Sequence, residues 1–245
     1  MLTLPKNLKD NVTRDKKYEQ GLIEKTRAWL VNDSKDRKGI HASDLLDPRK
    51  AYFDKRYPQD LSDRMVGTFF VGKTLHAFFL SALQGKKGTD WSTDSGSNED
   101  TELGITWSAD DLTNGIPHEF KTSRSKYEQY FADLKSYLEQ ELIYMAAAKS
   151  TRGRISTLMY NLPAPKGHGW GSYPQFRSYK IEVSKEDLKE YRLQIKKTVK
   201  LLKDALKKKS HKDLPLCREF KCMGCPHMER CKPEGRYGLK RFMPR

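Results

Sequence analysis

The spacing of apolar residues in the first hundred positions is that of helices separated by polar segments. Helical spacing covers the first forty residues and a second stretch beginning near Ser43, whose side chain is placed to cap DLLDPRKAYFDKRY. A third and strongly apolar helix is predicted from about Met65 to Leu83. Residues 84–102 are rich in Gly, Ser, Thr and Asp, which predicts a surface loop with room for one short strand.

A β-hairpin is predicted in the middle of the chain. Two strand-like segments, from Leu103 to Asp111 and from Ile116 to Thr122, flank the pair Asn114-Gly115. An Asn-Gly pair is the strongest short-range hairpin signal, because both residues tolerate positive φ. Pro117 removes one backbone donor and leaves the register less certain.

The second half of the chain continues the alternation of helices and strands. A long helix is predicted from about Lys126 to Lys149, followed by strands that start at Ile155 and Phe176. Ser184 and Asp187 form a capping box that opens a further helix. We therefore predict an α/β fold in which helices flank a mixed central sheet.

The charge balance points to a polyanionic partner. The 245 residues include 47 Lys plus Arg against 32 Asp plus Glu, a formal net charge of +15. Nucleic acid is the expected partner, with an acidic membrane surface or an acidic protein as alternatives. No apolar run is long enough to span a membrane, and the N-terminal residues do not resemble an export signal, so a cytoplasmic location is expected.

The predicted hairpin brings two carboxylates together. If Asn114-Gly115 is the turn, Asp110 lies directly opposite Glu119, and Lys121 shares their face because side chains alternate along a strand. Opposed carboxylates destabilise a strand pair unless a divalent cation lies between them. Asp111 competes for the role of metal ligand, although in this register it faces the other way.

The chemistry of this triplet fits a metal-dependent hydrolase. Carboxylate oxygens at Asp110 and Glu119 suit Mg²⁺ or Mn²⁺, and the metal would polarise a phosphodiester and acidify a water. Lys121 would orient that water or help to deprotonate it. The alternative interpretation is a solvated hairpin with scattered charges.

These residues resemble a nuclease superfamily. Glu119-Phe120-Lys121, preceded by Ala109-Asp110, resembles the core motif of PD-(D/E)XK nucleases, with Ala in place of the customary Pro. The resemblance implies a restriction-endonuclease-like core. It also implies that the backbone carbonyl of Phe120 joins the carboxylates as a metal ligand.

Two further motifs are similar to those of RecB-like nucleases. Gly72-x-x-x-His76 lies on the apolar helix, and in this family the histidine is a metal ligand. Gln140-x-x-x-Tyr144 resembles the helical motif that follows the Glu-x-Lys strand. Tyr137 shares a helix face with Gln140 and Tyr144, and this face is expected to bind the substrate strand. The implied metal site consists of His76, Asp110, Glu119 and the Phe120 carbonyl.

Four cysteines are concentrated near the C-terminus. Cys217-x4-Cys222-x2-Cys225-x5-Cys231 contains four thiols in a chain expected to be cytosolic, where disulfides are disfavoured. A metal site with four thiolate ligands is the better interpretation. The triplet formed by the last three cysteines resembles that of iron–sulfur nucleases, including the CRISPR-associated RecB-like exonucleases.

The sequence departs from this family at one position. The upstream cysteine of the family is replaced by Asp47, in Asp47-Pro48-Arg49, and Cys217 is placed to supply the missing thiolate. A [4Fe-4S] cluster held by the four cysteines is therefore favoured. Structural Zn²⁺ is the alternative cofactor, with His227 as a spare donor suited to zinc.

Together these features predict three segments and a function. The segments are a helical region at 1–42, a RecB-like nuclease core at 43–209, and a cysteine-rich cluster-binding segment with a basic tail at 210–245. The predicted function is a Mg²⁺- or Mn²⁺-dependent deoxyribonuclease, an exonuclease acting on single-stranded DNA or DNA ends. Its expected partners belong to a DNA repair or CRISPR spacer-acquisition complex. The alternative is a non-catalytic nucleic-acid-binding subunit whose four cysteines hold zinc.

Overall fold

The computed structural model describes most of the chain. The described residues are 16–34, 39–83, 97–123, 135–163, 172–217, 222 and 225–232. Predictions for the loop at 84–96, the first part of the helix expected from Lys126, and the basic tail after 232 lie outside the described residues.

Helices and strands alternate along the described chain. The helices are α1 (Lys16–Ser34), a 3-10 helix (Ala42–Leu45), α2 (Pro48–Arg56), α3 (Asp63–Leu83), α4 (Lys135–Ala148), α5 (Lys185–Lys208) and the short α6 (Met228–Cys231). The strands are β1 (Asn98–Asp100), β2 (Ile105–Trp107), β3 (Asp111–Thr113), β4 (Ile116–Ser123), β5 (Arg152–Pro163) and β6 (Ser172–Glu182).

The larger sheet has four strands in the order β3-β4-β5-β6. The β4–β5 pair is parallel, whereas β3–β4 and β5–β6 are antiparallel. Helix α4 packs on β4 and β5, and α5 packs on α4 and α2. The predicted mixed sheet with flanking helices is therefore confirmed.

The hairpin forms at the predicted turn. Asn114 and Gly115 both have positive φ, at 54° and 72°, as a two-residue hairpin loop of this type requires. Thr113 pairs with Ile116, and Leu112 pairs with Pro117. Antiparallel pairs alternate between bonded and non-bonded, so Pro117 occupies a pair in which no backbone donor is needed towards β3. The proline therefore does not shift the register.

The single strand predicted from Leu103 to Asp111 is wrong. Its first part, β2, pairs with β1 in a separate two-stranded sheet, and β3 begins only at Asp111. A tight turn joins β1 to β2: Gly104 has a φ of 70°, and its N–H donates to the carbonyl of Asp100 at 2.7 Å. The chain then leaves regular pairing at residues 108–110 before it enters the hairpin.

The predicted helix cap at Ser43 is also wrong. Ser43 lies within the 3-10 helix, where the backbone N–H of His41 donates to the carboxylate of Asp44 at 2.9 Å. The α-helix starts only at Pro48, with Asp47 at the N-cap position. Proline favours the first helical position because its missing N–H has no partner to lose there.

Helices α4 and α5 supply much of the core. Met145 and Ala146 of α4 are fully buried, as is Leu202 of α5. The N-cap role predicted for Ser184 is confirmed, since its hydroxyl accepts a hydrogen bond from the N–H of Asp187 at 2.9 Å. The Asp187 carboxylate in turn accepts a hydrogen bond from the Ser184 hydroxyl at 2.7 Å, which is not the backbone bond of a capping box.

Internal contacts divide the chain into two compact units. One unit comprises residues 1–37 and 60–73, and within it Trp29 contacts Phe70 edge to face, with ring centroids 6.2 Å apart. The other comprises residues 38–59 and 74–245 and contains both sheets. The three-segment division expected from the sequence stays a prediction. None of the described helices is both long and apolar enough to cross a membrane.

Candidate functional site

The hairpin places Asp110 against β4 in place of a backbone pair. Regular pairing of β3 with β4 stops at Asp111 and His118. If pairing continued, the N–H of Phe120 would point at the backbone of residue 109. Instead it donates to Oδ2 of Asp110 at 2.6 Å. The break in the ladder therefore fixes the Asp110 carboxylate beside β4.

Four side chains predicted for the site converge there. Glu119 and Asp110 are joined by a hydrogen bond between their carboxyl groups, and the Lys121 amine donates to Oε1 of Glu119. On α3, Nδ1 of His76 lies 3.4 Å from Oδ1 of Asp110. The structure thus brings together His76, Asp110, Glu119 and Lys121.

Burial perturbs the protonation of Glu119. Only 3% of Glu119 is exposed. Its burial, together with the adjacent charge of Asp110, outweighs the attraction of Lys121 and raises the pKa of Glu119 to about 8. Without a further positive charge, the carboxyl pair therefore keeps a proton at neutral pH.

Asp110 and Lys121 stay charged. Burial by itself would raise the pKa of Asp110, but the hydrogen bond and charge of His76 and the Phe120 N–H lower it overall. Burial would likewise lower the pKa of Lys121, yet the Glu119 carboxylate raises it above the ordinary value. In this arrangement Lys121 is an ammonium that offsets the one negative charge left on the carboxyl pair.

Asp111, the competing candidate, is engaged elsewhere. Its Oδ2 accepts a hydrogen bond from the Thr113 hydroxyl at 2.7 Å. It pairs with His118 in the hairpin, one residue closer to the turn than Asp110 and Glu119. Its side chain therefore belongs to the hairpin tip, as the predicted register requires.

The residues predicted on α4 lie next to this cluster, but not all on an open face. The Lys121 amine lies 5.7 Å from the ring centroid of Tyr137. Gln140 donates from Nε2 to the Tyr144 hydroxyl at 2.6 Å. Tyr144 is buried, with its ring centroid 6.1 Å from that of Trp107, so it belongs to the core rather than to an open groove. Gln140 and Tyr137 are half-buried and are better placed to meet a ligand.

Glu141 is a further acidic residue at the site that sequence reasoning missed. It is fully buried, and its Oε1 accepts a hydrogen bond from the Arg154 N–H at 3.2 Å. Its Oε2 has no partner among the described residues. A Cβ at Gly153 would lie 2.5 Å from Oε1, so the glycine makes room for the carboxyl. The available signal was an acid within the apolar stripe that contains Leu138 and Met145.

We expect Glu141→Gln to flatten the pH dependence of stability. Burial and the charge of Glu119 raise the pKa of Glu141 from 4.5 to about 8. The folded state therefore holds an extra proton, and its stabilising effect is complete below pH 4.5 and lost as pH rises through about 8. Between pH 5 and pH 8 the wild-type unfolding free energy, measured with urea, should fall by a few kcal/mol more than that of the variant.

The exposed Glu190 of α5 provides the control for this measurement. Glu190→Gln should leave the wild-type pH dependence in place, because the side chain is solvated in both states. Equal pH slopes for wild type and Glu141→Gln would show that Glu141 is ionised in the folded protein.

The donor set at the hairpin fits a hard divalent cation by its chemistry. Among the described residues, no three or more His, Cys, Asp or Glu side chains form a ready-made metal site. The carboxylate oxygens of Asp110 and Glu119 nevertheless suit Mg²⁺ or Mn²⁺, whereas the His76 imidazole suits softer divalent metals better than Mg²⁺. The proton shared by Asp110 and Glu119 and the Lys121 ammonium supply the positive charge that such a cation would otherwise provide.

The four cysteines line one pocket. All four are free thiols, and Arg49, Lys50 and His227 also line this pocket. Burial, followed by the charge of Asp47, raises the pKa of Cys217 to about 11. The pKa values of Cys225 and Cys231 are also raised, mainly by burial. Thiols so placed deprotonate when a metal replaces their protons.

Cys217 lies beside Asp47, at the N-terminus of α2. Its sulfur accepts a hydrogen bond from the backbone N–H of Lys50, in the first turn of α2, and senses the charge of Asp47 at the N-cap. The Lys50 N–H and the positive end of the helix dipole favour a thiolate, but burial and the charge of Asp47 outweigh them, so the pKa of Cys217 stays raised. Cys217 thus approaches the N-terminus of α2 from the C-terminal segment.

Other contacts tie the C-terminal segment to α2. The Arg49 guanidinium donates from Nε to the Leu214 carbonyl at 3.0 Å and forms a hydrogen bond with Cys231. His227 is buried and bonds through Nε2 to Oδ1 of Asp54 at 2.8 Å. Arg49 and His227 therefore connect the C-terminal segment to α2, as a metal cluster with ligands in both regions would.

Comparisons with known proteins establish the fold alone. No protein-family model matches the sequence, and no curated protein matches it significantly. The fold is similar to the crystal structure of SSO0001, with a TM-score of 0.56 and 19% identity over 87% of this chain and 95% of that chain. A phage-related exonuclease from Haemophilus somnus 129PT is more distant, with a TM-score of 0.46 and 12% identity over 70% of this chain and 96% of its own.

Proposed function

We propose that this chain is a metal-dependent DNA nuclease with a PD-(D/E)XK core, most similar to the CRISPR-associated RecB-like exonucleases. The observation that carries the proposal is the convergence of Asp110, Glu119 and Lys121 at the broken hairpin ladder, with His76 against Asp110. Buried carboxyl groups with perturbed pKa values are concentrated at functional sites. Placed next to an amine and an imidazole, this carboxyl pair fits phosphodiester hydrolysis.

The ligand roles follow from the donor set. His76, Asp110, Glu119 and the Phe120 carbonyl would hold Mg²⁺ or Mn²⁺. When bound, the cation polarises the phosphodiester and lowers the pKa of the attacking water. Glu119 would hold such a cation as a carboxylate, because an adjacent positive charge lowers the pKa of a carboxyl group.

Lys121 takes the proton-handling role. Its amine is held on the hairpin face by Glu119 and lies near the Tyr137 ring. With Glu119 as a metal ligand, the Lys121 ammonium would be free to orient the attacking water by donating a hydrogen bond to it. A nearby divalent cation would lower the pKa of this ammonium, and only the neutral amine left after it loses a proton to solvent could accept the proton of the water. Gln140, with its amide anchored by Tyr144, and Tyr137 contact the substrate strand on the α4 side.

DNA is the proposed substrate, as a single strand or as exposed ends. Support comes from the formal net charge of +15, which favours salt-dependent phosphate binding. The proposed setting is a DNA repair or CRISPR spacer-acquisition complex.

The cysteine pocket is proposed as a structural [4Fe-4S] site, with Zn²⁺ as the alternative metal. The support is that Cys217, Cys222, Cys225 and Cys231 line a single pocket and that soft thiolates suit both metals. The site would clamp the C-terminal segment onto α2. Arg49 and Lys50 line the pocket and offset the negative charge of a thiolate-bound metal.

The test of the proposed function is a DNA degradation assay with purified protein. We expect cleavage with Mn²⁺ or Mg²⁺, none with EDTA, and loss of cleavage in Lys121→Ala with DNA binding retained. Lys197→Ala, an exposed lysine of α5, is the matched control. Wild-type activity in Lys121→Ala would contradict the proposed mechanism. DNA binding by wild type without cleavage under any metal would favour the non-catalytic subunit.

A further inference from the structure

Helix α5 carries a row of cations along one side. We call this row the α5 basic row: Lys185, Lys189, Arg192, Lys196, Lys200, Lys203 and Lys207. At about 3.6 residues per turn, these positions lie within roughly 80° of arc around the helix axis. The row supplies about one cation per helical turn over a length of about 33 Å.

Charges on α5 are segregated. The acidic residues of the helix lie outside this arc: Glu186, Asp187, Glu190 and Asp204. Two acids near the end of β1 pair with the middle of the row. Asp100, the last residue of β1, lies 3.0 Å from Arg192, and Glu102 of the following turn lies 2.7 Å from Arg192 and 2.8 Å from Lys196.

The rest of the row is open. Lys189, Lys200 and Lys207 are exposed, and none of them forms an ion pair within the described part of the chain. These three lysines lie on both sides of the paired middle section. The row therefore keeps free positive charge along most of its length.

The fold makes a membrane surface a poor partner for this row. A helix that lies on a membrane inserts an apolar face beside its cations. The apolar face of α5 is instead buried in the protein core: Leu188, Ile195, Val199, Leu202 and Ala205. The row therefore presents positive charge, but no apolar face beside it is free to insert into a membrane.

A linear polyanion fits the row better than a folded protein does. Protein interfaces depend on aromatic and arginine anchors seated in desolvated pockets. The α5 basic row instead presents flexible lysines, evenly spaced and exposed, which is typical of contacts with a phosphate backbone.

We infer that the α5 basic row is a docking surface for the phosphate backbone of DNA, separate from the residues placed in the catalytic cluster. This inference rests on the proposed function, since it names the surface that holds the nuclease substrate. Through the row, DNA would be bound along α5 while the hairpin cluster acts on another part of the strand.

The test compares two triple variants with equal loss of charge. One removes row lysines (Lys189→Ala, Lys200→Ala and Lys207→Ala), and the control removes exposed lysines off the row (Lys197→Ala, Lys208→Ala and Lys212→Ala). Binding of fluorescein-labelled single-stranded and duplex oligonucleotides is measured by anisotropy in EDTA, over a range of salt concentrations. Thermal unfolding of both variants verifies that they are folded.

We expect the row variant to bind DNA about 10- to 100-fold more weakly, with a log–log salt slope shallower by about 2 to 3, because each phosphate contact contributes about 0.7 to 0.9. The control variant should bind within about threefold of wild type. Equal losses in both variants would overturn the inference, because they would reflect net charge alone. Binding of wild type to phosphatidylserine vesicles but not to DNA would also overturn it.

The same experiment separates this inference from the proposed function. If wild type cleaves DNA with Mn²⁺ and both triple variants bind alike, the row is not the docking surface and the nuclease assignment stands. If binding depends on the row but no metal supports cleavage, the docking surface stands and the nuclease assignment falls.

Discussion

Asp110→Asn is expected to reduce metal-dependent DNA cleavage by about 10³-fold, as severely as Glu119→Ala. Loss of one anionic ligand removes several kcal/mol of transition-state stabilisation, and about 4 kcal/mol corresponds to 10³ in rate. The amide introduced by the substitution would still offer an oxygen to the Phe120 N–H, so the hairpin geometry should survive. Single-turnover cleavage with saturating Mn²⁺ is the appropriate measurement.

Asp111 provides a matched control, one residue along the chain. Its carboxylate accepts a hydrogen bond from Thr113 and does not face Glu119. We therefore expect Asp111→Asn to cleave DNA within about threefold of wild type. The reverse ranking of Asp110→Asn and Asp111→Asn would show that Asp111 is the ligand and that Asp110 serves only to bond the Phe120 N–H.

The hairpin could be predicted because its information is local. Asn114 and Gly115 fix the turn, and once the turn is fixed the pairing of each position follows. That is why Asp110 and Glu119 could be brought together from the sequence. What could not be predicted is how Asp110 reaches Glu119, because the ladder breaks there and a side chain replaces the backbone acceptor.

Features that depend on distant segments escaped prediction. The segment expected to be one strand from Leu103 to Asp111 is interrupted, because its first part, β2, pairs with β1, which lies outside the predicted hairpin. Tyr144 was expected on an open face, but the position of Trp107 encloses it. The burial of Glu141 was not predicted, because it depends on Gly153 of the following strand, β5. The missing side chain of this glycine leaves room for the carboxyl group. Each outcome was decided by packing between elements rather than by local pattern.

The cysteine segment illustrates the same distinction. The short spacing from Cys222 to Cys231 predicts from sequence alone that these thiols lie close together. The position of Cys217 against Lys50 of α2 joins residues from opposite ends of the chain, and no local pattern encodes it. Only the three-dimensional structure shows that Asp47 and Cys217, which are 170 residues apart in the sequence, are neighbours.

Cys217→Ser is expected to lose the metal of the cysteine pocket, whereas Asp47→Ala and Asp47→Asn should keep it. The Asp47 charge raises the pKa of Cys217, so its removal favours the thiolate and should maintain or strengthen binding. Metal loss should release the segment after Leu214 and lower the melting temperature by roughly 10 °C, given about 2–4 °C per kcal/mol for a chain of this size. Iron, acid-labile sulfide and zinc are measured after anaerobic purification.

The outcomes of this experiment separate the identity of the metal from the identity of its ligands. Brown protein with iron and sulfide would support the [4Fe-4S] cluster, and colourless protein with about one zinc would exclude it while keeping the four-cysteine site. Equal metal loss in Asp47→Asn and Cys217→Ser would make the aspartate a ligand. We do not expect that result, because the charge of Asp47 raises the pKa of Cys217 and so opposes the thiolate that would hold the metal.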